Sequence, residues 1–115
     1  MVAAASAAAA ASTSASSGVL AASAAKFHSV AATSDGSVYA WGHGRGGRLG
    51  LDDANVHSGN EAVLAPRRLP YFGVGSGRIV VTVAAAKHHT LAASTSGELF
   101  SWGSNRDGRL GYLGA

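Results

Sequence analysis

Gly42, Gly44 and Gly47, in Gly42-His43-Gly44-Arg45-Gly46-Gly47, have the spacing of a turn that cradles a pyrophosphate. That chemistry needs a helix N-terminus directly after the glycines, where free backbone N–H groups and the helix dipole meet the anion. The next residues, Arg48-Leu49-Gly50-Leu51-Asp52-Asp53, make a poor helix start interrupted by glycine. A second stretch, Gly103-Ser104-Asn105-Arg106-Asp107-Gly108, keeps the same framework and breaks the motif. A loop needed for folding explains both. His28 and His89 also recur in matching contexts, but their sequence neighbours are not donors, and a metal site needs convergent ligands with a satisfied outer shell. Each is expected to hydrogen-bond to nearby backbone or hydroxyl groups. His88 and His89, adjacent on a strand, would point to opposite faces, and His43 and His57 stand in loops. There is no cysteine and no G-x-S-x-G elbow, and no carboxylate pair stands out, so the sequence offers no catalytic residue, metal site or cofactor site.

Four arginines remain as candidates for binding: Arg45, Arg48, Arg106 and Arg109. Guanidinium groups at loop tips suit carboxylate or phosphate partners. Arg45 and Arg106 are read as partner contacts. Arg48 and Arg109, inside two copies of Gly-Arg-Leu-Gly, stay open between a partner and an internal bond to loop carbonyls or to an Asp such as Asp52 or Asp107. Trp41 and Trp102 stand in fixed places before Gly42 and Gly103, which favours packing over a role as stacking platforms. The glycines would let the chain turn closely beside them.

These residues are positioned by a sequence that repeats itself. Ala25 to Gly50 and Ala86 to Gly111 align without a gap at an offset of 61, and 13 of the 26 positions are identical. A period of this size marks one supersecondary unit copied along the chain, each copy unable to bury its apolar face alone. Phe27 to Thr33 and Val38 to Trp41 flank Ser34-Asp35-Gly36, a hairpin signal, and His89 to Ala93 and Glu98 to Trp102 repeat it around Gly97. Arg78 to Ala84 is the strongest strand, with β-branched residues in succession, and Val19 to Ala22 is its weaker equivalent. Pro66 to Pro70 reads as a short edge strand, Leu51 to Glu61 as a polar link, and Gly73 to Gly77 as a flexible connector. No stretch shows a helical period with a cap signal.

The pattern x-x-His-Ser/Thr, Gly-x-Val/Leu-Tyr/Phe-x-Trp-Gly, Gly-Arg-Leu-Gly and a following Pro resembles the repeats of the regulator of chromosome condensation family. The resemblance implies an all-β fold, a seven-bladed propeller of which this chain holds fewer than two complete four-stranded blades. His43 to Gly50 with Val83 to Lys87 also resembles the repeat region of ankyrin-containing proteins similar to the inhibitor of Bruton tyrosine kinase. The chain departs from the family at Ala25 and Ala86, where Gly is usual, and at Arg48 and Arg109, where Gln is usual. His28, Gly36, Trp41 and Gly42, with His89, Gly97, Trp102 and Gly103, are then the structural framework of the repeat. The expected organisation is an Ala/Ser-rich low-complexity segment at 1–18, then repeats at about 25–77 and 78–115, the second incomplete, within a region 19–115.

Composition limits the function classes. Nine Lys and Arg against six Asp and Glu give a net charge of +3, spread along the chain, whereas nucleic-acid binding calls for clustered cations. The Ala/Ser head lacks the basic and Leu-rich regions of a secretory signal, which leaves the compartment unknown with cytoplasm or nucleus favoured over secretion; its Ser/Ala richness without acids keeps a plastid-type transit peptide as a minor alternative, and no run matches the roughly 20 apolar residues of a membrane span. The expected function is a non-enzymatic protein-binding scaffold. The resemblance also implies guanine-nucleotide exchange on a small GTPase, or an adaptor tied to a kinase or ubiquitin ligase, as alternatives.

Overall fold

The computed structural model describes residues 18–104. The expectations placed on Arg106, Arg109 and most of the Ala/Ser head lie outside them. Seven strands form two antiparallel sheets: β1 (Val19–Ala24), β2 (His28–Thr33), β3 (Val38–His43) and β4 (Ala62–Arg68) in one, and β5 (Val80–Ala85), β6 (His89–Ser94) and β7 (Leu99–Gly103) in the other. Within each sheet the strands pair in sequence order. The offset of 61 now extends back through β1 and β5, beyond the doubled passage. Even an irregularity is copied: the register slips between Val19 and Ala21 against β2, and between Val80 and Thr82 against β6.

β2 explains why Ala is so frequent. Five of its six residues are buried, so it is covered on both faces, and after His28 at its start it is filled by small or β-branched side chains such as Val30, Ala31 and Ala32. Val30, Val38, Leu49, Val56, Val63, Leu69 and Phe72 from the first repeat pack with Val80 and Ala92 from the second into one core. Each such side chain contributes roughly 1.5–3 kcal/mol when fully buried.

The hairpin turns are duplicated bond for bond. Gly36 N–H donates to Thr33 O at 2.9 Å and Gly97 N–H to Ser94 O at 3.1 Å. In the first turn Asp35 Oδ1 also accepts from Thr33 Oγ1 at 2.6 Å and from Ser37 N–H at 3.0 Å. The glycine of each Trp-Gly pair has a sharper purpose than turning beside the indole. Gly42 and Gly103 have φ of +108° and +110°. A Cβ there would lie 2.6 Å from Phe27 O and 2.5 Å from His88 O, respectively, because β3 and β7 cross tightly over the preceding turns.

Three segments between the strands differ from expectation. The edge strand β4 begins at Ala62, with Pro66 inside it and Leu69 and Pro70 beyond it. As the outermost strand, β4 can carry a proline without losing a ladder bond the sheet needs. The polar link holds a one-turn helix, α1 (Ala54–Ser58), capped by Asp53 Oδ1 accepting from Asn55 and Val56 N–H and closed by left-handed Gly59. One turn is too short to show a period, and it is held by Val56 burying against the core. The connector after Phe72 closes on itself: Gly73 N–H donates to Arg78 O, and Arg78 lies 3.8 Å over the Tyr71 ring.

Replacing Gly42 by Ala should cost about 3 kcal/mol, combining a left-handed backbone with a collision against the Phe27 carbonyl. Gly46 has φ of +78° with nothing within 4 Å of its missing Cβ, so Gly46→Ala should cost only about 1 kcal/mol. Urea midpoints of the two variants measure the difference, and equal losses would remove the close approach as the reason for the Trp-Gly pair.

Candidate functional site

The β1–β2 turn, the end of β3 and the Gly/Arg loop meet at one end of the first sheet, and Lys87, His88 and Ser104 occupy the matching end of the second. His43 N–H donates to Phe27 O at 2.8 Å, and Ser104 N–H to His88 O at 2.9 Å, which fixes the two ends alike. Between them runs the loop that sequence alone likens to a phosphate cradle. Arg45–Gly47 forms a 3-10 turn, with Gly46 at a left-handed φ, so no helix follows the glycines. Gly44 lies against Val56 and Leu49, where even a Cβ would collide.

Arg48 joins the sheets. It is only 5% exposed. Its Nε donates to Arg45 O and its Nη1 to Lys87 O, both at 2.8 Å, and Nη2 lies 3.5 Å from His88 Nδ1. Of the two readings open for this residue, the guanidinium takes the internal carbonyls, one of them from the neighbouring repeat. Burial, and then Arg45, push its pKa down. Arg45 itself is exposed, with its stem beside Gly59.

Beneath Arg48 lies a polar relay that the sequence does not suggest. Thr90 Oγ1 donates its one proton to Arg48 O at 2.6 Å, so its bond to His28 Nε2 at 2.8 Å has the histidine as donor. His28 Nδ1 is then the bare nitrogen, buried with no partner. His28 is 2% exposed, and its pKa is lowered from 6.5 to about 4 by burial, then by Arg48 and His89. The two repeated histidines stand in separate sheets, and His28 finds its hydroxyl on the other sheet. Trp102 lies over Gly50 of the first repeat and 5.6 Å from the Phe72 ring, while Trp41 packs partly buried against the shared core.

Two concavities among the described residues bear on the site. One, of about 410 Å³, is lined by Phe27, His43, Arg45, Gly46, Arg48, His88 and Ser104. The Phe27 ring has Lys26 Nζ at 5.3 Å, the Arg48 guanidinium carbon at 5.6 Å and the His43 ring edge-on at 6.1 Å. This groove holds cations and an aromatic, with no carboxylate among the described residues that line it. The other, of about 680 Å³, runs between the Arg67-to-Phe72 segment and Phe100 to Trp102, and is mainly apolar. Its rim carries an exposed pair, Arg67 Nη1 to Asp53 Oδ2 at 3.8 Å, worth little in isolation.

Comparison with known proteins places these features. The model described as the regulator of chromosome condensation (RCC1) repeat matches residues 35–93, and a second model so described matches residues 80–109. The chain is 40% identical over 88 residues to the inhibitor of Bruton tyrosine kinase of Mus musculus, across 76% of this chain and 6% of that protein. It is 35% identical over 94 residues to the E3 ubiquitin-protein ligase HERC2 of Homo sapiens, across 81% of this chain and 2% of that protein. The crystal structure of Prp20p from Saccharomyces cerevisiae superposes with a TM-score of 0.60 at 25% identity, over 86% of this chain and 22% of that one. The chain thus spans under a quarter of each.

The relay makes stability depend on acid. The unfolded chain binds a proton at His28 near pH 6.5, whereas the folded chain refuses it until about pH 4. Stability is therefore complete above the higher value, falls as pH drops between the two, and levels off below the lower. The loss attributable to His28 is at most about 3 kcal/mol. Urea midpoints followed from about pH 7 to about pH 4 should fall more steeply for the native chain than for His28→Gln. Parallel slopes would mean that His28 is free to protonate in the fold.

Proposed function

Because the chain belongs to the regulator of chromosome condensation repeat family, whose solved relatives are β-propellers, we propose that it is a protein-binding scaffold acting through the loop end of two adjacent blades. The first blade has its four strands, and the second is described through its third. One observation carries this reading: the loops of both repeats converge on a single groove whose lining is cationic and aromatic. Such a surface suits the recognition of another macromolecule. The relatives' names suit an adaptor, since one is an inhibitor of a tyrosine kinase and another a ubiquitin ligase. Arg45 is the contact residue favoured here, and Arg48 the one that holds the loop in place.

Guanine-nucleotide exchange is the second reading. It draws on the yeast relative Prp20p, which has binding properties to Gsp1p and histones. Fold likeness alone does not transmit an activity, and exchange would have to come from a larger surface than two blades.

Two measurements separate the readings. A photo-reactive residue in place of Lys26, beside Phe27 at the groove, should trap a defined partner, while one in place of Leu64, 91% exposed on the outer strand, should not. Trapping from Leu64 alone would sink the assignment to the loop end. Nucleotide release from a panel of small GTPases should be unchanged by the chain, and an acceleration of about tenfold, equivalent to about 1.4 kcal/mol off the barrier, would replace scaffolding with exchange.

A further inference from the structure

The groove at the loop end contains an unusual electrostatic situation. Arg48 is a buried cation whose three hydrogen bonds go to two carbonyls and, at long range, an imidazole. A guanidinium has five N–H donors, so two are left without an acceptor among the described residues. Carbonyls satisfy geometry but do not neutralise charge, and a buried cation without a counter-ion is costly. Arg45 stands at the mouth of the same groove, and Lys26 lies at its aromatic edge. The described acidic residues are elsewhere: Asp35 in the first hairpin turn, Asp52, Asp53 and Glu61 in the polar link, and Glu98 after the second turn. Among the described residues, the groove is thus a place where positive charge is concentrated and no carboxylate compensates it.

We propose that this groove docks an acidic peptide segment of a protein partner, seating one carboxylate between Arg48 and Arg45 and laying an apolar side chain on Phe27. The inference rests on the protein-binding reading and names the partner's chemistry. Two features select a peptide carboxylate over other anions. A guanidinium fork matches a carboxylate bidentately, and the N–H groups still unused on Arg48 are what such a contact takes up. Phe27 is 39% exposed, an apolar floor of no use to a bare phosphate and well suited to a side chain next to the acid. Nucleic acid would need a track of cations along a backbone, and the remaining described arginines do not extend the groove: Arg67 faces Asp53, Arg68 binds Phe72 O and Arg78 binds Tyr71 O.

The test is fluorescence anisotropy of the intact chain with a short fluorescein-labelled peptide of alternating Glu and Leu, at physiological salt. Saturable binding is expected, weakened about tenfold by Arg45→Glu, in line with loss of a close interfacial charge pair. Arg45 is exposed and gives Arg48 only its backbone carbonyl, so that variant keeps the loop's internal bonds. Arg67→Glu, the same charge change on the outer strand, should leave affinity unaltered. A peptide of alternating Lys and Leu should bind the Arg45→Glu chain better than the native one. Three results would overturn the proposal: no saturable binding of the acidic peptide, an equal loss from Arg67→Glu, or displacement of the peptide by inorganic phosphate or single-stranded oligonucleotide at lower concentration than by unlabelled peptide. If a partner is still trapped from position 26 in any of these cases, scaffolding stands and only the acidic occupant is lost.

Discussion

A short antiparallel sheet of this composition presents two apolar faces and can cover neither unaided, so the packing of β5 and β6 against β1 and β2 is the constraint on which the rest of the molecule depends. The core does not belong to either repeat. Val80 and Ala92 fill it from one side, and Val30, Val38 and Phe72 from the other. That shared burial is why β2, after His28 at its start, carries only small and β-branched residues. It also sets the exacting clearances at Gly36 and Gly50, whose neighbours Ile79 and Trp102 come from the other repeat.

Polar groups at this contact are arranged so that its register is unique. Apolar packing is tolerant of small slips, whereas Thr90 must meet both His28 and Arg48 O, and Arg48 must reach Lys87 O. A shift of one residue would turn Thr90 to the opposite face and leave three buried polar groups without partners. The same contact carries a cost, since it holds a neutral imidazole and a guanidinium close together in a dry place. Among the described residues, the groove at the loop end holds that charge with no carboxylate in its lining. Arg48 therefore takes part in both contact and groove: its bonds to Arg45 O and Lys87 O tie the two sheets together, and it also lines the groove.

Much of the fold is legible in the doubled passage. The Gly36 and Gly97 turns, the strand pairs around them and the Trp-Gly landmarks come from local chemistry, because a left-handed glycine and alternating β-formers act over a few residues. Other features are hidden for physical reasons. α1 is one turn long and is held by Val56 in the core, so no period announces it. The connector after Phe72 looks flexible by its glycines, yet Arg78 stacking on Tyr71 orders it. Thr90 reads in the sequence as one hydroxyl among many.

The repeat unit, its strands, its turns and the family are all settled by the amino-acid order, since each depends on residues close in the chain. Which side chains meet across the repeats is settled by the packing of the two sheets. That packing brings Arg48 to Lys87 and His28 to Thr90, and it separates Arg45, exposed at the groove, from its near neighbour Arg48, buried between sheets. The contacts across the repeats join residues 39 and 62 positions apart. No local propensity or motif encodes that distance.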